Sequence, residues 1–258
     1  MNYFSLHPCV FVALLAFCIF GCTTLSARLG IIERTESFMS EGHRIKVETF
    51  TPSTPGPHPT VLVLHSSAGM IFGKGALVDL CRNLALQGKM AMLVHYFDRT
   101  GTLWSSNDAI GKLWPIWAAT VHDAMNFAVA DPRVRADSIG IFGYSLGAFL
   151  AVAVASEDKR VVAVVEVSGG TFDALKSKLK RVAPTLILHG RGDEVVSVSY
   201  ALELAEAARK LGQPASMKLY EGEGHVLNKE AMSDAMSRSL KFFDEQLPAN
   251  RPERERLH

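Results

Sequence analysis

Three residues of this sequence have types and settings that could do chemistry together: Ser145, Asp193 and His225. Ser145 stands in Gly143-Tyr144-Ser145-Leu146-Gly147, a Gly-x-Ser-x-Gly pattern. An apolar run, Ile139 to Phe142, precedes it, and a small-residue run, Ala148 to Ala155, follows. The pattern therefore reads as a strand that turns at once into a helix. Such a turn brings backbone and side chains too close for Cβ atoms at the flanking positions, which is what the two glycines provide. It also lifts the serine hydroxyl beside a helix N-terminus, where free N–H groups favour negative charge. A serine hydroxyl is a weak nucleophile until a positioned base takes its proton, and that base needs a third group to orient it. His225 in Tyr220-Glu-Gly-Glu-Gly-His225 offers the base, and Asp193 in His189-Gly-Arg-Gly-Asp-Glu194 offers the acid. Glu166 and Asp173, which follow the preceding apolar run, are rivals for the acid's place.

These residues need elements to hold them, and the hydrophobic pattern supplies candidates. Thr60 to His65, Met90 to His95, Val161 to Val167 and Pro184 to Gly190 are short runs rich in Val, Leu and Ile, typical of strands buried on both faces. Ser216 to Tyr220 is a last short strand. Helical patterns fall between them, up to Gln87, over Trp114 to Ala130, over Ser197 to Leu211 and over Lys229 to Gln246. Upstream, Ile31 to Phe50 reads as two extended segments around a turn at Ser40 to His43, with Arg44 to Phe50 alternating as a half-exposed edge strand does. Strands alternating with helices at this spacing predict an α/β fold, a mostly parallel central sheet with helices on both faces. Ser145, Asp193 and His225 all follow strands, and open parallel sheets bind ligands beyond the C-terminal ends of their strands.

The composition excludes other classes. A length of 258 residues suits one large α/β domain or two small ones, and a hydrophobic content of 48% is ample for a core. The net charge is +1, with no basic stripe interleaved with aromatics, so no nucleic-acid partner is expected. No His, Cys and Asp cluster has metal-ligand spacing, and no Gly-rich phosphate loop follows a strand. Cys9, Cys18 and Cys22 crowd the start, leaving Cys81 in the body as a small buried apolar residue. Cys9 to Phe20 is an apolar run of signal-peptide length, so residues 1–22 read as a signal peptide or a lipoprotein signal. In the second case Cys22 would be lipidated and attach the protein to a membrane; cleavage near Ser26 or Ala27, or an uncleaved anchor, are the alternatives. Either processed form implies export, to the periplasm or to a lipid anchor in a bacterial envelope. The charged tail 250–258 has no periodic pattern and is expected to be disordered.

The body from about Ile31 to Gln246 resembles the dienelactone hydrolase family of α/β-hydrolases. The Gly-x-Ser-x-Gly elbow, the Gly-x-Gly-Asp turn, the Gly-His turn and His65-Ser-Ser-Ala-Gly69 carry the resemblance, in the chain order Ser, Asp, His. It implies an α/β-hydrolase domain over 31–247, with Ser145, Asp193 and His225 as catalytic residues and the Ser67 and Leu146 N–H groups as oxyanion donors. It also implies departures. Where the family's namesake pairs a cysteine nucleophile with a glutamate, this chain has Ser145 and Ser66. Of two arginines that hold a substrate carboxylate there, one matches Arg99 and the other falls on Lys229, which keeps charge but loses the bidentate fork. The implied function is cofactor-free hydrolysis of a small carboxylic ester or lactone, anionic substrates included, through an acyl-enzyme. A peptidase or acyltransferase using the same triad, and a non-catalytic envelope binding protein of this fold, are the rivals. His65, His95 and His189 read as pocket walls or bonded strand-end residues. Trp104, Trp114 and Trp117 read as core or pocket lining. Pocket shape should come from the loop Tyr96 to Lys112, which has no readable code, so neither the substrate nor the oligomeric state is legible.

Overall fold

The computed structural model describes residues 30–213 and 215–249; the apolar leader, Cys22 and the tail 250–258 lie outside the described residues. The chain opens with a hairpin of β1 (Ile31–Ser40) and β2 (His43–Pro52). Its turn residues Glu41 and Gly42 both have positive φ, 39° and 85°, which matches the right-handed twist of paired strands. There follow β3 (His58–Leu64), α1 (Lys74–Leu86), β4 (Met90–Val94), α2 (Asn107–Ala130), β5 (Val134–Tyr144) and α3 (Leu146–Glu157). The remainder is β6 (Val161–Val167), the single-turn α4 (Asp173–Lys176), β7 (Thr185–Gly190), α5 (Val198–Lys210), β8 (Ser216–Tyr220) and α6 (Lys229–Gln246).

One eight-stranded sheet has the order β1-β2-β4-β3-β5-β6-β7-β8. From β4 to β8 the pairings are parallel, while β2 is antiparallel to both β1 and β4. With helices on both faces, this is the α/β-hydrolase fold. Successive residues of a strand serve opposite faces. Leu62, Leu64, Ile141 and Ile187 join a core roofed by α2, α3 and α5. Their neighbours Val61, Val63, Phe142 and Leu188 join a second core roofed by α1 and α6, where Cys81 is fully buried.

Two expectations need correction. Arg44 to Phe50 is not an edge: β2 is paired on both sides, and β1 takes the edge. Its polar residues alternate because they are engaged over one face, with Glu48 receiving both Lys74 Nζ and His95 Nε2 at 2.8 Å. The second helix starts at Asn107 rather than Trp114, with Pro115 inside it. Pro115 therefore lies in the helix interior, where it lacks the N–H that would bond the carbonyl one turn earlier.

Candidate active site

The elbow forms where β5 ends and α3 begins. Ser145 sits between them with φ 54° and ψ −117°, a conformation that costs about 1–3 kcal/mol and persists only when its surroundings enforce it. They do so by close approach. A Cβ on Gly143 would lie 2.2 Å from the Gly147 carbonyl oxygen, and one on Gly147 would lie 2.6 Å from the carbonyl oxygens of His65 and Leu64. The Ser145 N–H donates to the Val167 carbonyl at 2.8 Å, fixing the turn to β6.

The structure brings Ser145, His225 and Asp193 into one chain of contacts. Ser145 Oγ is 2.9 Å from His225 Nε2, and His225 Nδ1 is 2.8 Å from Asp193 Oδ2. A carboxylate can only accept, so Nδ1 carries the proton and Nε2 is free to accept from the serine hydroxyl. Asp193 is held in turn by the N–H groups of Val195 and Val196, at 2.9 and 2.8 Å from Oδ1. Its side chain has no exposed surface. The arrangement can take a proton from Ser145, hold the resulting imidazolium against a buried carboxylate, and return the proton to a departing atom.

Three supports surround this chain of contacts, of which the sequence singles out only His189, as a pocket wall or bonded strand-end residue. Tyr144 Oη and Ser168 Oγ both donate to the His225 carbonyl oxygen, at 2.9 and 3.1 Å, fixing the loop that carries the base. Burial, with the nearby Asp193 charge, pushes the Tyr144 phenol up to about 12, so it stays a donor. His189 is fully buried beneath the acid, with Nε2 donating to the Val196 carbonyl at 2.9 Å and lying 3.3 Å from Asp193 Oδ2. Burial lowers its pKa, which keeps the ring neutral. Tyr144 lies within the elbow motif, but nothing in the sequence says that its hydroxyl reaches another loop.

Neither rival acid touches His225. Asp173 is exposed and pairs with Lys176 at 3.1 Å. Glu166 is fully buried beside the elbow, in register with Gly143, and one carboxyl oxygen accepts the Gly169 N–H at 2.9 Å. Its other oxygen has no partner, and burial raises its pKa to about 8, opposed by that one bond. It is a neutral carboxyl at pH 7.

Ser67 and Leu146 both line the cavity that contains Ser145. As the first residue of α3, Leu146 has an N–H with no intrahelical acceptor. Neither residue expected to clamp a substrate carboxylate lines a cavity at Ser145. Arg99 is buried, donating to Ser40 Oγ at 2.6 Å and to the Glu41 carboxylate, and it lines neither cavity at Ser145. Its guanidinium is spent on the β1–β2 turn. Lys229 is exposed at the start of α6 and is likewise absent from both cavities. His65 is buried and neutral, its pKa lowered to about 3 by burial, and its ring stacks on Tyr96 at 4.0 Å. Trp117 is core, Trp114 lines the cavity, and Trp104 is exposed. Among the described residues no group of three or more His, Cys, Asp or Glu is placed to hold a metal ion.

Comparison with known proteins agrees with this fold. A dienelactone hydrolase of Anabaena variabilis superposes with a TM-score of 0.66 at 19% identity, over 84% of this chain and 99% of that one. A cold-adapted esterase from an Arctic intertidal metagenomic library gives 0.65 at 21% identity, over 84% of this chain and 95% of that one. In sequence, the mitochondrial acyl-coenzyme A thioesterase 2 of Mus musculus is 23% identical over 218 residues, 80% of this chain and 46% of that protein. Esterase YpfH of Escherichia coli (strain K12) is 22% identical over 124 residues, 46% of this chain and 53% of that protein. The chain thus spans about half the length of these two relatives. The profile of the dienelactone hydrolase family matches residues 45–247, which takes in the elbow, the acid turn and the histidine turn together. On that match, across all the site-bearing strands, the chain belongs to the dienelactone hydrolase family.

Proposed function

We propose that the protein is a serine hydrolase that cleaves a small carboxylic ester or lactone through an acyl-enzyme, without a cofactor. The contact chain Ser145 Oγ–His225 Nε2–His225 Nδ1–Asp193 Oδ2, at 2.9 and 2.8 Å, carries the reading. Ser145 attacks the carbonyl carbon, His225 takes its proton and passes it to the leaving oxygen, and Asp193 orients the ring and stabilises its charged form. The Ser67 and Leu146 N–H groups receive the oxyanion. Water, activated by His225, then releases the acid.

The esterases and the thioesterase among the relatives support the reaction type. The positions of Arg99 and Lys229 favour a neutral substrate over a carboxylate-bearing one. A fluorophosphonate probe gives the test. The protein should be labelled at Ser145 and Ser145→Ala should not; a non-catalytic binding protein leaves both unlabelled.

The leader adds a location to the proposal, with export and lipid attachment at Cys22. Among the described residues no helix is long and apolar enough to cross a membrane, so attachment would rest on the leader. Two acyl chains on Cys22 would suffice for stable anchoring. The intact mass of the native protein decides between a lipidated Cys22 and an unlipidated start near Ser26 or Ala27.

A further inference from the structure

Two cavities meet at Ser145, and one residue decides which half of an ester each can hold. The larger, about 510 Å³, is lined by Ser145, Ser67 and Leu146 but not by His225. The smaller, about 250 Å³, is lined by Ser145, Ser67 and His225. In acylation a bond forms between Ser145 Oγ and the carbonyl carbon, and the bond from that carbon to the leaving oxygen breaks. The proton held on His225 Nε2 moves to that oxygen. The leaving oxygen must therefore come within hydrogen-bond reach of His225.

We infer that the leaving group occupies the cavity beside His225 and that the acyl chain occupies the larger one, which makes the substrate a medium-chain acyl ester of a small uncharged alcohol. The inference rests on the serine hydrolase reading and names its substrate class. The shape of the larger cavity supports it. Leu146, Phe149 and Ala153 recur on α3 at helical spacing, and Trp114, Ala118 and His122 do so on α2, so two facing helix stripes line one groove. The α3 stripe continues to Glu157, and the stretch from Leu146 to Glu157 is about 16 Å long at ~1.5 Å per residue. Trp114 meets Phe172 edge-to-face at 5.6 Å over this groove. At its far end His122 Nε2 and the exposed Glu157 Oε2 stand 3.1 Å apart, so an apolar chain that long would meet polar, solvent-facing groups.

The smaller cavity is different. Phe72, Val226, Met232 and Met236 line it with His225, and it has no lysine or arginine. A leaving group bearing phosphates would find no cation there, whereas a short alkyl alcohol fits both its volume and its largely apolar lining.

The test uses two ester series and three variants. In one series the alcohol is p-nitrophenol and the acyl group lengthens from acetyl to decanoyl. In the other the acid is acetate and the alcohol lengthens from methanol to octanol. For the wild-type protein kcat/KM should rise about fourfold per acyl methylene from acetyl to hexanoyl, the gain expected from full burial of each group. With the alcohol lengthened it should rise from methyl to butyl and level off beyond, where the smaller cavity is filled. Gly111→Leu and Ala118→Phe, which narrow the larger cavity, should lower the octanoyl-to-acetyl ratio tenfold or more. A Cβ at Gly111 meets nothing within 4 Å, so that variant is free of steric strain at its first carbon. Ala76→Phe, at an exposed position lining the smaller cavity, should instead lower the ratio of butyl to methyl acetate. The assignment is overturned if the acyl ratio follows Ala76→Phe, or if neither Gly111→Leu nor Ala118→Phe moves it. A protein that hydrolyses no ester and is not labelled at Ser145 by fluorophosphonate refutes the hydrolase reading itself, an outcome distinct from the first two.

Discussion

His225 reaches Asp193 through one carboxylate oxygen only: Nδ1 is 2.8 Å from Oδ2, while Oδ1 accepts two backbone N–H groups. The acid is therefore fixed before the base is considered, and its orientation does not depend on His225. Asp193→Asn should keep this frame yet present an amide to Nδ1, favouring the wrong tautomer, at a loss of about 10²- to 10⁴-fold in kcat. Glu166→Gln and Asp173→Asn should change kcat by less than about threefold, since neither touches the histidine. Steady-state kinetics on a p-nitrophenyl ester checks all three.

Ser145→Ala and His225→Ala should each cost on the order of 10⁴-fold or more in kcat, and the double variant little more than either alone. Losses that multiply would show that the two residues act independently.

Glu166 predicts a pH dependence of stability. Its carboxyl titrates near 8 in the folded protein and at 4.5 as a free side chain, so the folded state binds the extra proton between those values. The associated stability is complete below about pH 4.5 and is lost as pH rises through 8, by a few kcal/mol. Glu166→Gln should flatten this limb and make the variant more stable than the parent above pH 8. Urea unfolding at pH 5, 7 and 9 measures it.

Gly143→Ala places a methyl 2.2 Å from the Gly147 carbonyl oxygen, a backbone atom that cannot rotate away. The expected cost is about 3 kcal/mol or more. Thermal unfolding followed by circular dichroism should show it as a lower Tm or as loss of the folded form.

Arg99→Ala separates structure from substrate binding. It removes the donors to Ser40 and Glu41 and should destabilise the fold by about 1–3 kcal/mol. The ratio of kcat/KM between a carboxylate-bearing ester and its neutral analogue should stay within about twofold, and Lys229→Ala should behave likewise. A tenfold fall in that ratio would restore the clamp.

The residues that the structure joins at the site were legible because each sits in its own local turn pattern: Gly-x-Ser-x-Gly, Gly-x-Gly-Asp and Gly-His. Strand runs such as Thr60 to His65 were legible for a similar reason, since burial on both faces leaves an unbroken apolar segment. What stayed hidden depends on neighbours across the sheet. His189 lies beneath the acid because its strand carries it there, and Ser168 reaches the His225 carbonyl from the end of β6. No local pattern encodes either contact. Arg99 illustrates the converse: a residue type carried over from a resemblance does not specify direction, and here the side chain turns to the hairpin. Likewise the alternation in Arg44 to Phe50 records an engaged polar face, which a single strand cannot distinguish from an edge.

The segment after the first turn of loop beyond β4 lies against the loop carrying Ser67 at two points. Ser105 N–H donates to the Ser67 carbonyl at 2.8 Å, and a Cβ on Gly69 would lie 2.0 Å from the Leu103 carbonyl oxygen. Between these contacts stands Trp104, largely exposed, and the Leu103 side chain beside it also points out to solvent. An insertion or a longer sequence at this point can therefore be accommodated outward, while a deletion that shortens it pulls on Ser67. For anyone grafting loops to change selectivity, residue 104 is the permissive joint, and Gly69, Leu103 and Ser105 are the positions to leave alone.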